Sequence, residues 1–391
     1  MTRRKRRKIA AIIRVGVLLI LPAVTAAGAK GISEIGNIFS EAADLSAEKK
    51  PTSSVSTEKK GQSPYSSNFI ADPEDILSGS IILSKGYGIS EETAEKSSVV
   101  NLPSPLEMIS DNPGEKPYPA ENEWTAGGSI VRTTYGKYSN GSVFDLEKGG
   151  QVNNKTTVPN ETLIKESNYL PHFTISDTSE PQVLLYHTHT TESFEPYVRE
   201  NYDANFNYRT TDETKNMLMV GDAIQAELEA QGIGVIHVRT IHDYPSYNGS
   251  YARSRESILP VLEQYPSIKV ALDIHRDAIS GEGIAYQPYI EINGKEAAQI
   301  MIISGCDDGT LGMPEYMKNF HFASNLQQKL ESDNPGFTRP ILFDYRHYNQ
   351  DLTTGSLLIE VGSHGNTLEQ AQYAGQLFGR SLGELLNSMK K

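Results

Sequence analysis

Val183-Leu184-Leu185-Tyr186-His187-Thr188-His189-Thr190-Thr191-Glu192-Ser193-Phe194 is the stretch on which the fold turns. Its short apolar run reads as a buried strand. The run stops at two histidines and a glutamate, with no basic residue inside the stretch to pair them. In open α/β sheets, ligands sit in the crevice outside the carboxyl ends of the strands. His-x-His followed three residues later by Glu therefore stands where a metal site is expected.

Two later runs also end in ionisable groups. Val270-Ala271-Leu272-Asp273-Ile274-His275-Arg276-Asp277-Ala278 carries His275 at its end. Leu357-Leu358-Ile359-Glu360-Val361 carries Glu360, followed by Gly362-Ser363-His364-Gly365-Asn366. If the three strands are parallel, all three ends open onto one rim. Two imidazoles and a carboxylate make a three-ligand set for Zn²⁺ that leaves a position for water. A further carboxylate nearby can take the water's proton and return it to a leaving amine. Glu360 suits that role, because a carboxylate inside an apolar run is costly to bury unless it is paired or bound. His187 and His364 stand close enough to be weaker candidates. Asp273 reads as shaping its strand end. His172, His237, His242, His321 and His347 read as structural or surface residues. No Gly-rich phosphate loop occurs, and neither Ser193 nor Ser363 lies in a Gly-x-Ser-x-Gly elbow.

Around these runs, strands alternate with helices from residue 180 to 391. Thr210 with Glu213 fits a capping box that opens a helix. Met217, Val220, Ile224 and Leu228 give that helix an apolar stripe, and Gly232 closes it. Further helices are expected over 251–264, after Pro314, and from about Thr367. Strands are expected over 233–238, 268–274, 289–292, 300–304 and 357–361. The alternation predicts an α/β domain with a mostly parallel sheet flanked by helices. Before it, β-like segments at 129–135 and 142–146 suggest a small β-rich subdomain over 127–179, suited to packing or partner contact.

The amino-terminal third differs in composition. Residues 3–8 are all Arg or Lys, and 9–29 are apolar apart from Arg14 and a few small residues. That length fits a membrane span, and the basic flank predicts a cytoplasmic tail (1–8) with an exported body. Ala27-Gly28-Ala29 resembles a signal-peptide cleavage site, but the long apolar run favours a retained anchor. Residues 30–126 are rich in Ser, Lys, Glu, Thr and Pro and read as a disordered stalk. The net charge of −13 over 391 residues, despite six cations in the first eight, argues against nucleic acid as a partner. The single cysteine, Cys306, cannot form an intramolecular disulfide.

Three pieces taken together resemble the stage II sporulation protein P family. They are 185–193, 272–278, and Tyr348-Asn349-Gln350-Asp351-Leu352 followed by 358–362. The resemblance runs from about Gly127 to the carboxyl terminus. It implies a cell-wall hydrolase of endospore formers, with N-acetylmuramoyl-L-alanine amidase activity and endopeptidase activity on peptide cross-links. It also implies action in forespore engulfment at the sporulation septum, on the extracytoplasmic side of the membrane. Stage II sporulation proteins D and M are the implied partners. The 180–391 region is also similar to zinc-dependent wall amidases, in which one histidine ends the first strand. That likeness implies His189 and His275 as metal ligands and Glu360 as the catalytic carboxylate. For the third ligand, the amidases point to Glu213 and the sporulation family to Glu192. Glu192 is preferred, because Glu213 also fits the capping box. The alternative is a non-catalytic wall-binding scaffold on an amidase-like fold.

Overall fold

The computed structural model describes residues 126–176, 180–204, 208–281 and 283–390. The expected basic tail, membrane span and stalk lie outside the described residues, Ala126 apart. Among the described residues, no helix is long and apolar enough to cross a membrane.

In chain order the strands are β1 (Ala126–Thr133), β2 (Val143–Asp145), β3 (Gln151–Asn154), β4 (Pro181–Tyr186), β5 (Asn201–Asp203), β6 (Gly234–His237) and β7 (Val270–Asp277). They continue with β8 (Ser280–Gly281), β9 (Ile284–Ile292), β10 (Lys295–Ala298), β11 (Ile300–Cys306), β12 (Ile341–Tyr345) and β13 (Gly355–Ser363). The helices are α1 (Asn160–Glu166), α2 (Leu218–Ala230), α3 (Ser250–Gln264), α4 (Tyr316–Asp333) and α5 (Leu368–Ser388).

The larger sheet has the order β2-β3-β12-β11-β13-β7-β4-β6. From β13 to β6 all neighbours are parallel. The sheet as a whole is mixed: five of its seven neighbouring pairs are parallel, as expected, and β2–β3 and β11–β13 are antiparallel. The reversal falls between β11 and β13, which pair antiparallel, while β3, β12 and β11 run parallel to one another. The carboxyl ends of β13, β7 and β4 therefore lie side by side on one rim, and those of β11 and β12 open on the other.

Side-chain alternation sorts the two faces. Val183, Leu185, Leu272, Ile274, Ile359 and Val361 enter the main core, together with Val220 and Ile224 of α2, Phe320 and Leu326 of α4, and Ala374 and Phe378 of α5. Leu184, Tyr186 and Ala271 point the other way, against Ile258 and Val261 of α3. Asp273 and His275 share the Ala271 face of β7, and Glu360 shares the Leu358 face of β13. Each buried aliphatic side chain contributes about 1.5–3 kcal/mol. The main-core face thus anchors the strands, leaving the α3 face free to carry polar groups.

Among the described residues, the strands of 127–176 join sheets shared with the rest of the chain. β2 and β3 extend the larger sheet beside β12. β1 joins β9 and β5 in a second sheet of order β10-β9-β1-β5, with β8 beside β9. The expected capping box at Thr210 is absent. Asp212 captures the backbone N–H and hydroxyl of Thr214 at 3.0 and 2.6 Å, and Asn216 accepts from Leu218 N at 3.1 Å. These local bonds compete with helix formation, so α2 begins at Leu218. At α5 the expected helix from about Thr367 is present, and it carries a capping box. Thr367 accepts from Gln370 N, and the Gln370 side chain accepts from Thr367 N.

Candidate active site

β13 and β7 pair in parallel with Glu360 directly opposite His275. β4 lies on the other side of β7, and the chain leaving it turns at His189 to Glu192, closed by Glu192 N–H donating to His189 O at 3.1 Å. One ligand atom each from His189, Glu192 and His275 lies within 4.8 Å of the others. Two of the separations are 3.8 Å (His189 Nδ1 to Glu192 Oε1) and 3.6 Å (His275 Nδ1 to Glu192 Oε2). Ligands about 2.1 Å from a tetrahedral Zn²⁺ stand roughly 3.4 Å apart, so these separations suit such an ion. All three side chains are buried, and His189 Nε2 has no hydrogen-bond partner. A buried orphan atom in a His/His/Glu donor set fits a borderline divalent cation.

Several groups hold the set in place. Arg276 N donates to Glu192 Oε2 at 3.1 Å, and the Arg276 side chain clamps the carbonyls of Ser193 and Tyr208 at 2.7 Å each. Asp243 accepts from Thr191 N at 3.0 Å and from Thr191 Oγ1 and Arg209 Nη1 at 2.6 Å. Arg209 Nη2 also reaches Glu192 Oε1 at 3.5 Å. His189 stacks on the exposed Tyr247 ring, with centroids 4.5 Å apart, and meets Tyr251 edge-on at 5.6 Å.

Glu360 is 2% exposed, and its Oε2 has no partner. Burial first, then the neighbouring Asp277 carboxylate, pushes its pKa well above the usual carboxylate range. Arg339, itself fully buried, pairs with Asp277 Oδ2 at 2.7 Å and moderates that push. For His275, burial favours the neutral ring, but the Asp273, Glu192 and Glu360 carboxylates outweigh it and raise the pKa. Burial lowers His189, and His275 adds to the effect.

The other candidates lie apart from this set. Glu213 sits on the surface and pairs with Arg239 at 3.2 Å. His187 is fully buried and donates to Ile274 O at 2.8 Å, with its Nε2 against His237 Nε2 at 2.8 Å. His364 faces the Tyr208 ring at 4.8 Å, and burial lowers its pKa to about 3. Sequence reasoning missed Arg209, Asp243, Arg276 and Arg339 as supporting groups. Only Arg339 left a trace, as a lone cation within Phe337-Thr338-Arg339-Pro340-Ile341.

Residues 110–383 match the family model described as Stage II sporulation protein P. The protein of that name from Bacillus subtilis (strain 168) is 30% identical over 205 residues, covering 49% of this chain and 48% of that protein. The match thus spans about half the length of the curated relative. Among solved structures, the CwlD amidase from Clostridioides difficile, in complex with the GerS lipoprotein, aligns at TM-score 0.33 and 11% identity. It covers 53% of this chain and 99% of that one. The catalytic domain of CwlV, an N-acetylmuramoyl-L-alanine amidase from Bacillus (Paenibacillus) polymyxa var. colistinus, aligns at TM-score 0.33 and 12% identity. It covers 53% and 98% of the two chains. Likeness at this level is loose, and the chain's own strand order defines its fold.

Proposed function

Since this chain belongs to the stage II sporulation protein P family, we propose that it is a zinc-dependent peptidoglycan hydrolase acting in sporulation. The observation that carries the chemistry is the convergence of His189, Glu192, His275 and Glu360 on the rim where β4, β7 and β13 end in parallel. His189, Glu192 and His275 would hold Zn²⁺, which when bound supplies a polarising charge and an acidified water. Glu360 is placed beside His275 to accept the water's proton. Its raised pKa suits it to return that proton to the leaving amine near neutral pH. Arg209 and Arg276 hold Glu192 in place, so the ligand carboxylate does not swing out to solvent.

The bond assigned is the N-acetylmuramoyl-L-alanine amide, with peptide cross-links as a second class of substrate. An amino-terminal anchor would place the domain outside the cytoplasm, at the septum, with stage II sporulation proteins D and M as partners. The test is hydrolysis of purified sacculi by the purified protein. Free stem peptides should appear, a chelator should stop their release, and added zinc should restore it. Activity that persists in the chelator would remove the metal from the reading. Binding to sacculi without any product would favour a scaffold instead.

A further inference from the structure

The segment Tyr348-Asn349-Gln350-Asp351 supplies none of the groups assigned above, yet it is built firmly against them. Tyr348 and Asn349 hold positive φ angles of 42° and 53°, a region that disfavours side chains other than glycine and that Asn tolerates best. Arg255 fixes the segment by a two-pronged pair with Asp351, at 2.7 and 2.6 Å. His347 Nε2 stands 3.1 Å from the same carboxylate. Gln350 bridges to Gly305 N at 2.9 Å and to Ile303 O at 3.2 Å. The Asn349 amide is thereby buried where Nδ2 donates to Tyr251 O at 3.0 Å and to Ser254 Oγ at 3.1 Å.

From Ser254 the hydrogen bonds continue to the rim. Ser254 Oγ and Thr188 Oγ1 are 2.8 Å apart, and Thr188 Oγ1 lies 2.6 Å from Asp273 Oδ2. A carboxylate only accepts, so the Thr188 proton goes to Asp273. The single Ser254 proton has two acceptors in reach, Thr188 Oγ1 at 2.8 Å and Tyr251 O at 3.1 Å. The shorter contact to Thr188 takes it in the relay, and the Ser254 lone pairs accept from Asn349. With that proton placed, the bonds from Asn349 through Ser254 and Thr188 to Asp273 run one way, and each link in such a chain polarises the next. Asp273 Oδ1 takes the Thr188 backbone N–H at 2.8 Å. His275 Nε2 lies 2.8 Å from the same oxygen, an ion-pair contact off the line of a hydrogen bond. Asn349, Ser254, Thr188 and Asp273 are all buried.

We propose that Asn349 is a positioning residue that fixes the orientation of the His275 imidazole through Ser254, Thr188 and Asp273. A carboxylate behind one ring nitrogen turns the other toward the ion, and here His275 Nδ1 faces Glu192 Oε2 at 3.6 Å. The inference rests on the metal reading only for which ion gains from that order.

Asn349→Gly deletes the amide while tolerating the positive φ. Ser254→Ala breaks the same path one step nearer the rim and stands in should the first variant fail to fold. Two readouts separate the outcomes, namely zinc affinity by chelator competition and the ordering of the His275 ring by ¹³C relaxation in the metal-free protein. Both variants should bind zinc about 10-fold or more weakly, and the ring should become mobile. Asn349→Gly combined with Asp273→Asn should weaken zinc no further than Asp273→Asn alone. A ring as ordered as in the parent protein, or losses that multiply in the double variant, would overturn the relay. If the parent protein binds no zinc while the ring still loosens in the variants, the metal reading falls and the relay stands.

Discussion

His187 and His189 leave the same strand two residues apart and end in regions of opposite character. Around His187 every ring nitrogen is engaged. Its own nitrogens meet Ile274 O and His237, and His242 Nδ1 donates to His187 O at 2.7 Å while its Nε2 meets Ser257 Oγ at 2.9 Å. Gly221 of α2 packs directly onto this pair of rings. A Cβ there would lie 2.5 Å from His237 Nε2 and 2.8 Å from His187 Nε2. Around His189 the polar atoms are gathered but unsatisfied, with His189 Nε2 and Glu360 Oε2 both orphaned. Burial lowers the pKa of both histidines, so acidity does not tell the regions apart. Hydrogen-bond satisfaction does. A satisfied cluster is finished as structure, and an unsatisfied buried one has room for a ligand.

The contrast can be broken most forcefully at Glu360. Glu360→Gln keeps the shape and removes the proton acceptor, so sacculus hydrolysis should fall roughly 10²- to 10⁴-fold while zinc content stays at the parent level. Loss of zinc along with activity would make Glu360 a ligand rather than a base. Next come the two glutamates. Glu192→Ala should lower zinc affinity at least 10-fold, whereas Glu213→Ala, on the surface beside Arg239, should leave it unchanged. Metal analysis after dialysis reads the difference directly, and full occupancy in Glu192→Ala would sink the ligand set.

Smaller effects belong to the satisfied region. Gly221→Ala forces a methyl group against His187 and His237, and overpacking of this kind costs about 1–3 kcal/mol. Denaturant unfolding should show that loss with zinc affinity little changed. The least effect concerns acid. Burial lowers the His242 pKa below its unfolded value, so below about pH 6.5 the unfolded chain binds the extra proton. The stability His242 contributes is complete above that pH and is lost as the pH falls, by at most about 1.4 kcal/mol per unit. In chelator, His242→Gln should therefore flatten the fall in melting temperature between pH 7 and 5.5. An unaltered slope would show that His242 keeps its proton balance on folding.

Much of the fold was legible because local chemistry and tertiary packing agree. The Thr367–Gln370 cap opens α5, and the apolar runs at 183–186, 270–274 and 357–361 became adjacent strands. Where local chemistry offered two answers, the sequence misled. Thr210 and Glu213 look like a helix start, but Thr210 N donates to Thr191 O instead, and Asp212 and Asn216 hold Thr214 N and Leu218 N in local turns. β12, only five residues long and preceded by Arg339-Pro340, gave no periodic signal.

The sequence by itself determined which residue types reach the strand ends. His189, His275 and Glu360 each follow an apolar run that must be buried, and alternation then places Glu360 and Leu358 on one face. Only the tertiary structure decided that β4, β7 and β13 are parallel neighbours while β11 runs the other way, because strand direction depends on connections far longer than any local pattern. It also set Glu192 beside His189 and His275 and left Glu213 on the surface beside Arg239. Both are glutamates near a helix or turn, and what separates them is that Arg276 N–H, 84 residues onward, reaches one and not the other.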